Sequence, residues 1–107
     1  MLLTTNLMRD YNFWVYIVTN RSQSVLYIGV TNSLSRRVRQ HGKGTGANFP
    51  AAYQCKKLIY YEYYSNVHEA IARESQLKRW SRAKKVTLIN CLNPSWLDLG
   101  ADVLEER

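Results

Sequence analysis

Two short segments rich in β-branched and aromatic residues, with a few polar residues between them, constrain the fold of this chain most. FWVYIVT (13–19) and VLYIGV (25–30) have the composition of strands, and NRSQS (20–24) has the composition of a turn. Two strands joined by so short a connection pair antiparallel. The sequence therefore predicts a β-hairpin.

A helix and a third strand are expected after the hairpin. Asn32 or Ser33 can cap a helix that runs to about His41, with Gly42 as its stop. The Gly-rich segment 42–54 has the composition of a loop, and KKLIYYEYY (56–64) that of a strand.

Two further helices complete the predicted architecture. Asn66 caps a helix of about 67–80, and a second helical stretch covers about 82–92, before Pro94. The order β-β-α-β-α-α predicts an α/β (α+β) fold, a small three-stranded antiparallel sheet flanked by helices.

The length of 107 residues predicts a single domain, 1–107. We expect a core of about 13–99 and an acidic C-terminal tail, 100–107, that frays. No apolar run approaches the ~18 residues needed to span a bilayer. The first ten residues lack the basic region of a signal peptide, so a cytoplasmic protein is expected, with association with the nucleoid left open.

The two cysteines, Cys55 and Cys91, form no CxxC pair and have no histidine at metal-ligand spacing. Two small core residues in a reducing compartment are the expected reading.

The net charge of +7 is unevenly distributed along the chain. Between Arg36 and Lys85 there are 12 basic and 3 acidic residues. A basic middle favours a polyanionic partner, most often nucleic acid, over the alternative of a solubilising surface.

The three arginines of the first predicted helix differ in direction. Leu34 and Val38 define its buried stripe. Arg37 and His41 fall beside that stripe, whereas Arg36 and Arg39 fall on the other side of the helix. A guanidinium turned toward the sheet needs a partner. The alternative is a structural arginine that pairs with a carboxylate or extends its stem to solvent.

The second helix carries a carboxylate, Glu74, near the middle of its apolar arc, whereas Glu69 lies outside that arc. The arc consists of Val67, Ala70, Ile71 and Leu77. Such a carboxylate is ion-paired, protonated or metal-bound. A pair between Glu74 and Arg37 is an open alternative.

Two tyrosines of the hairpin, Tyr16 and Tyr27, could project from one face of the sheet. Gly29 shares the face of Tyr27, and a glycine at a strand end often marks a close approach of backbone or ligand. The alternative is two ordinary sheet tyrosines, because this chain contains 8 of them.

These pieces together resemble the GIY-YIG nuclease superfamily. VYI (15–17), YIG (27–29), an arginine in the next helix and a glutamate in a later helix carry the resemblance, which runs from about Trp14 to Leu99. YIGVTNSLSRRVRQH, EAIARESQLKRWSRAKK and NPSWLDL look like the small stand-alone proteins of that superfamily.

The resemblance implies a catalytic set of Tyr16, Tyr27, Arg37, His41, Glu74 and Asn93, with Gly29 as the motif glycine. Glu74 stands at the metal-binding position, and Asn93 matches a supporting asparagine, for which Asn90 is the alternative. The sequence departs from the family pattern twice. The first motif half reads VYI, and Val30 stands where some repair nucleases carry a lysine.

The implied activity is hydrolysis of DNA phosphodiester bonds with one Mg²⁺ (or Mn²⁺) on Glu74. Arg37 would hold the scissile phosphate through its planar fork. A tyrosine, Tyr16 by preference, would act as base because the metal and Arg37 favour its phenolate. The choice of base among Tyr16, Tyr27 and His41 stays open.

The outer basic residues are expected to contact backbone phosphates, with low sequence specificity. They are Arg36, Arg39, Lys43, Lys78, Arg79, Lys84 and Lys85. DNA is the expected partner, with DNA repair among the pathways and RNA left open; no membrane and no obligatory protein partner is expected. The alternatives are a catalytically weak or inactive nucleic-acid-binding domain and a small protein-interaction domain.

Overall fold

The computed structural model describes residues 11–43 and 53–105. The predictions for the first ten residues and for most of the Gly-rich loop therefore lie outside the described residues. The elements are β1 (Phe13–Thr19), β2 (Leu26–Thr31), α1 (Leu34–Gly42), β3 (Lys57–Tyr64), α2 (Val67–Arg79), α3 (Arg82–Leu92) and α4 (Gly100–Glu105). Within these two ranges, no helix combines the length and apolar character needed to cross a membrane.

The three strands form one antiparallel sheet in the order β2-β1-β3. The predicted hairpin and the α/β class are confirmed, with β2 shifted by one residue. The central strand β1 is buried from Val15 to Thr19, because it has a neighbour on both sides and helices over both faces. Its register places Tyr16 opposite Gly29 of β2 and Tyr61 of β3.

Alternate residues of β1 enter two different cores, as side chains of a strand must. Val15 and Ile17 pack with residues of α2 and α3, such as Leu77 and Ile89. Tyr16 and Val18 pack instead with residues of α1 and α4, including Leu34 and Val103. The face that carries Tyr16 is therefore the face covered by α1.

The helices begin where the sequence indicates. Ser33 accepts a hydrogen bond from the backbone of Arg36, and Asn66 accepts two from the first turn of α2. These side chains accept hydrogen bonds from backbone N–H groups that have no partner within the first turn of the helix. Gly42 is the last residue of α1 rather than the residue after it.

The expectation of a frayed acidic tail is corrected for residues 100–105, which form α4. Val103 is only 8% exposed, and a carboxylate oxygen of Asp98 accepts hydrogen bonds from the backbone of Leu58 and of Gly100. One apolar side chain and one loop carboxylate thus attach the segment to β3 and α1.

The cysteines follow the prediction only in part. Cys55 is buried and reduced, but Cys91 is exposed on α3. α3 packs through Ile89 and turns its other side to solvent, so position 91 lies outside the core.

Candidate active site

The hairpin register explains the motif glycine. Tyr16 and Gly29 are cross-strand partners, and the phenol ring of Tyr16 lies over the α-carbon of Gly29. A Cβ at position 29 would stand 2.6 Å from both Cζ and Oη of Tyr16, far inside van der Waals contact. Gly29 therefore makes room for a side chain of the site, a more specific role than the close approach expected from sequence.

Three rings converge on this face of the sheet. The ring centroid of Tyr16 lies 5.6 Å from that of His41 and 6.5 Å from that of Tyr27. The ring centroids of Tyr27 and His41 are 6.3 Å apart. His41 comes from the last turn of α1, is 4% exposed, and its Nε2 is 3.3 Å from Tyr16 Oη. Within the described residues, its Nδ1 is buried without a hydrogen-bond partner.

The charges around Tyr16 set its protonation. Burial raises the pKa of Tyr16 well above its ordinary value of 10, and nearby Tyr27 and Glu74 raise it further, whereas Arg37 lowers it. The expectation that Arg37 would favour the phenolate gives the direction of one effect, but burial outweighs it. Tyr16 therefore holds its proton in the free protein.

The pKa of His41 is shifted in the opposite direction. Burial lowers its pKa below 6.5, and the Arg37 guanidinium lowers it further. The imidazole is therefore neutral at neutral pH and has a nitrogen lone pair available. Arg37 shifts the pKa values of both Tyr16 and His41, and Tyr27 and Glu74 also shift that of Tyr16. These five predicted site residues therefore share one electrostatic environment.

The arginines of α1 point as the helical period predicts. Arg37 is half-buried and donates from Nη1 to Gln40 Oε1 at 2.7 Å, whereas Arg36 and Arg39 are exposed. Neither ion pair found among the described residues joins Arg37 to Glu74. The alternative of a structural Arg37–Glu74 pair is thus not what forms.

Glu74 instead pairs with Lys78. The Glu74 side chain is 17% exposed, and its Oε2 lies 3.2 Å from Lys78 Nζ. The sequence places the two residues four apart on one helix, so this contact could have been anticipated. The predicted apolar arc of α2 is narrower than expected, because Ile71 is 46% exposed.

The side chain of Asn93 is buried and hydrogen-bonded to the backbone. Its amide donates to the backbone oxygens of Ile59 and Leu97 and accepts from the Leu97 backbone, and it is 5% exposed. These bonds tie the turn after α3 to β3. Asn90 accepts from the Trp96 indole at 2.7 Å. A catalytic part for either asparagine stays a prediction.

The donor set suits only one kind of metal site. Across residues 11–43 and 53–105, no group of three or more His, Cys, Asp or Glu side chains could hold an ion. Glu74 is a lone, partly accessible carboxylate, which fits Mg²⁺ or Mn²⁺ bound mainly by water and substrate oxygens. It does not fit a metal that needs several protein ligands.

The outer basic residues are mostly exposed, with Lys85 half-buried. Lys84 lies 4.8 Å from the centroid of the Trp80 ring. Lys78 and Lys85 line a cavity of about 300 Å³ beside the edge strand β2, together with Leu26, Tyr27 and Ile28. Lys78 therefore pairs with Glu74 and also lines the cavity that Tyr27 borders.

Comparison with known proteins assigns the architecture. The GIY-YIG catalytic domain family matches residues 12–87. A UPF0213 protein of Clostridium perfringens is 38% identical over 77 residues, 72% of this chain and 82% of that protein. A UPF0213 protein of Haloquadratum walsbyi is 37% identical over 81 residues, 76% of this chain and 89% of that protein.

A solved structure is also similar. The solution NMR structure of a UPF0213 protein from Bacillus halodurans aligns with a TM-score of 0.51 and 26% identity. The alignment covers 81% of this chain and 92% of that one.

Proposed function

We propose that this chain, which belongs to the GIY-YIG catalytic domain family, is a metal-dependent endonuclease that hydrolyses DNA phosphodiester bonds with low sequence specificity. One observation carries the proposal. Tyr16, Tyr27 and His41 meet at one point of the sheet, where Arg37 and Glu74 both act on the Tyr16 hydroxyl. A neutral imidazole, a protonated tyrosine hydroxyl, a guanidinium and a lone carboxylate are groups that can together support phosphodiester hydrolysis.

Arg37 holds the scissile phosphate. In the free protein its guanidinium donates to a neutral amide, Gln40, so a phosphate oxygen is a stronger acceptor for it. Its planar fork offers two parallel donors to two phosphate oxygens, which fixes the orientation of the phosphate as well as its charge.

Glu74 would hold the metal ion. A divalent cation bound there would supply charge stabilisation to the phosphate and to the leaving oxygen. A single protein carboxylate suits a cation that takes most of its ligands from water and phosphate oxygens.

The protons move between Tyr16 and His41. The attacking water gives its proton to Tyr16 Oη as the Tyr16 hydroxyl proton passes to His41 Nε2. A phosphate bound at Arg37 offsets the guanidinium charge, which removes one of the two causes that lower the pKa of His41. His41 thus becomes a better proton acceptor when substrate arrives, and Tyr27 packs against both rings to fix their positions.

The test is cleavage of labelled single-stranded, duplex and branched DNA with Mg²⁺ or Mn²⁺. Glu74→Gln and Arg37→Ala are each expected to lower the cleavage rate about 100-fold or more. The matched controls are Glu69→Gln, on the exposed side of the same helix, and Arg39→Ala, on the exposed side of α1. At saturating DNA concentration both controls should cut within a few-fold of wild type, because Arg39 is expected to contribute to binding affinity and not to the chemical step.

Binding without cleavage, unchanged by Glu74→Gln, would support the nucleic-acid-binding alternative instead. Absence of binding at low salt would refute both, since phosphate contacts are strongest there.

A further inference from the structure

The carboxylate assigned to the metal already has a cation beside it. Lys78 Nζ is 3.2 Å from Glu74 Oε2, and this is the ion pair that the described residues give Glu74. The two partners differ in accessibility, because the Lys78 side chain is 52% exposed and that of Glu74 only 17%. Lys78 therefore lies on the solvent side of a less accessible carboxylate.

Lys78 also borders the cavity beside β2. That cavity, of about 300 Å³, is lined on one side by Tyr27 and on the other by Lys78 and Lys85. It thus adjoins the ring cluster through Tyr27, and two ammonium groups line it. A phosphodiester entering here would meet positive charge immediately beside the proposed scissile position.

Lys78 and a divalent cation compete for one carboxylate. Two unit charges 4 Å apart in water interact by about 1 kcal/mol, and a divalent ion doubles this repulsion. A lysine ammonium is a point charge on a flexible stem, so it can leave Glu74 without disturbing the helix. An i, i+4 pair whose lysine is exposed is weak enough to be broken by a phosphate contact.

We propose that Lys78 exchanges partners during binding: it occupies Glu74 in the free protein and contacts a backbone phosphate of the nucleic acid, in the cavity beside β2, in the complex. This inference rests on the proposed function, because it takes Glu74 as the metal ligand. The exchange frees the carboxylate when substrate is present. Nucleic acid and metal then tighten each other's binding by the same factor.

The first experiment measures Mn²⁺ binding to the protein without DNA, by the loss of the free Mn²⁺ signal in electron paramagnetic resonance. Lys78→Met removes the competing charge and keeps a good helix former. It should bind Mn²⁺ about three- to tenfold more tightly than wild type. Lys85→Met is the matched control, because this lysine lines the same cavity but does not pair with Glu74. It should stay within about twofold of wild type.

The results separate this inference from the function it rests on. If Lys78→Met binds Mn²⁺ no more tightly than wild type or than Lys85→Met, the exchange is refuted while the nuclease proposal stands. If Glu74→Gln binds Mn²⁺ as wild type does, the ion is not at Glu74 and both fail. If Lys78→Met tightens Mn²⁺ binding in a protein that cuts no substrate, the nuclease proposal fails and the competition at Glu74 stands.

The second experiment tests the other half of the exchange. DNA affinity is measured without metal over a range of salt concentrations. Lys78→Met should reduce the slope of log affinity against log salt by about one, the value for one lost phosphate contact. An unchanged slope would mean that Lys78 remains on Glu74 in the complex, which overturns the proposal.

Discussion

Two carboxylates of this domain are buried to nearly the same degree but are surrounded very differently. The side chains of Glu62 and Glu74 are 16% and 17% exposed. Glu62, on β3, accepts hydrogen bonds from Nε and Nη2 of Arg73 and from the hydroxyls of Tyr60 and Tyr64. Glu74, one residue after Arg73 on α2, pairs with Lys78 alone among the described residues.

The difference shows in the pKa of Glu62. Burial raises it, but the hydrogen bonds from Arg73 and the two tyrosines outweigh burial and bring it below its ordinary value. A carboxylate with all its acceptor positions filled stabilises structure and has none left for a ligand. A carboxylate paired with one exposed lysine keeps acceptor positions for an ion.

The Glu62 contact also bears on the direction of Glu74. Consecutive residues of a helix point about 100° apart, so the Arg73–Glu62 contact helps to set the rotation of α2 and thereby the direction of Glu74. Arg73 thus anchors the helix beside the proposed metal ligand.

The sharpest way to break this comparison is to neutralise each carboxylate in turn. Glu74→Gln should lower cleavage by about 100- to 1,000-fold and change the free energy of unfolding by less than about 1 kcal/mol, because only a single ion pair to an exposed lysine is lost. Glu62→Gln should lower the free energy of unfolding by about 1–3 kcal/mol, since it disrupts a partly buried network. Initial rates and urea unfolding of both variants decide. Lost activity at full stability in Glu62→Gln would contradict the assignment.

The same contrast extends to two tyrosines, each 3% exposed. Tyr60 donates to Glu62, whereas the Tyr16 hydroxyl lies within hydrogen-bond distance of Nε2 of His41. Tyr16→Phe should lower cleavage by about 100-fold with little change in stability. Tyr60→Phe should cost about 1–2 kcal/mol of stability and leave the rate per folded molecule intact. Equal effects of the two substitutions on cleavage would remove the distinction.

Gly29 tests the packing that places Tyr16. Gly29→Ala should cost about 1–3 kcal/mol of stability and displace the phenol, because the new Cβ would lie 2.6 Å from it. In a Tyr16→Ala background that cost should disappear. Gly42→Ala is the control, since none of the described residues comes within 4 Å of a Cβ there. Thermal melting of the four variants measures the coupling, and an unchanged cost in the Tyr16→Ala background would refute the steric account.

Acid sensitivity is the smallest expected effect. The pKa of His41 is lower in the folded protein than its ordinary value of 6.5, so folding is favoured fully above that value and loses this contribution as pH falls through the folded pKa. The loss approaches about 1.4 kcal/mol per pH unit. His41→Leu should flatten urea-unfolding stability against pH below 6.5. His68→Leu, on an exposed position of α2, should not.

The parts of the fold that depend on local pattern could be predicted from the sequence. The hairpin and the caps at Ser33 and Asn66 are set by neighbouring residues, and the contrast between Arg37 and its exposed neighbours follows from the helical period. Features that depend on contacts between residues far apart in the sequence could not be predicted. α4 depends on contacts such as Asp98 with Leu58, 40 residues apart, so composition alone gave the wrong expectation.

The candidate site divides in the same way. The family resemblance pointed to the three rings that the structure brings together, but the protonation of Tyr16 could not be predicted, because its pKa depends on how deeply tertiary packing buries it. The Lys78–Glu74 pair is the exception, since its spacing of four was present in the string.

The unequal burial of the two cysteines has a practical consequence. Cys55 is 1% exposed, so a thiol-reactive dye or nitroxide will attach selectively to Cys91 on the outer side of α3. Cys91 borders a second surface cavity with Trp80 and Lys84. The native chain thus carries a single accessible thiol beside an indole, at which a spectroscopic probe can be attached to test nucleic-acid binding without any substitution.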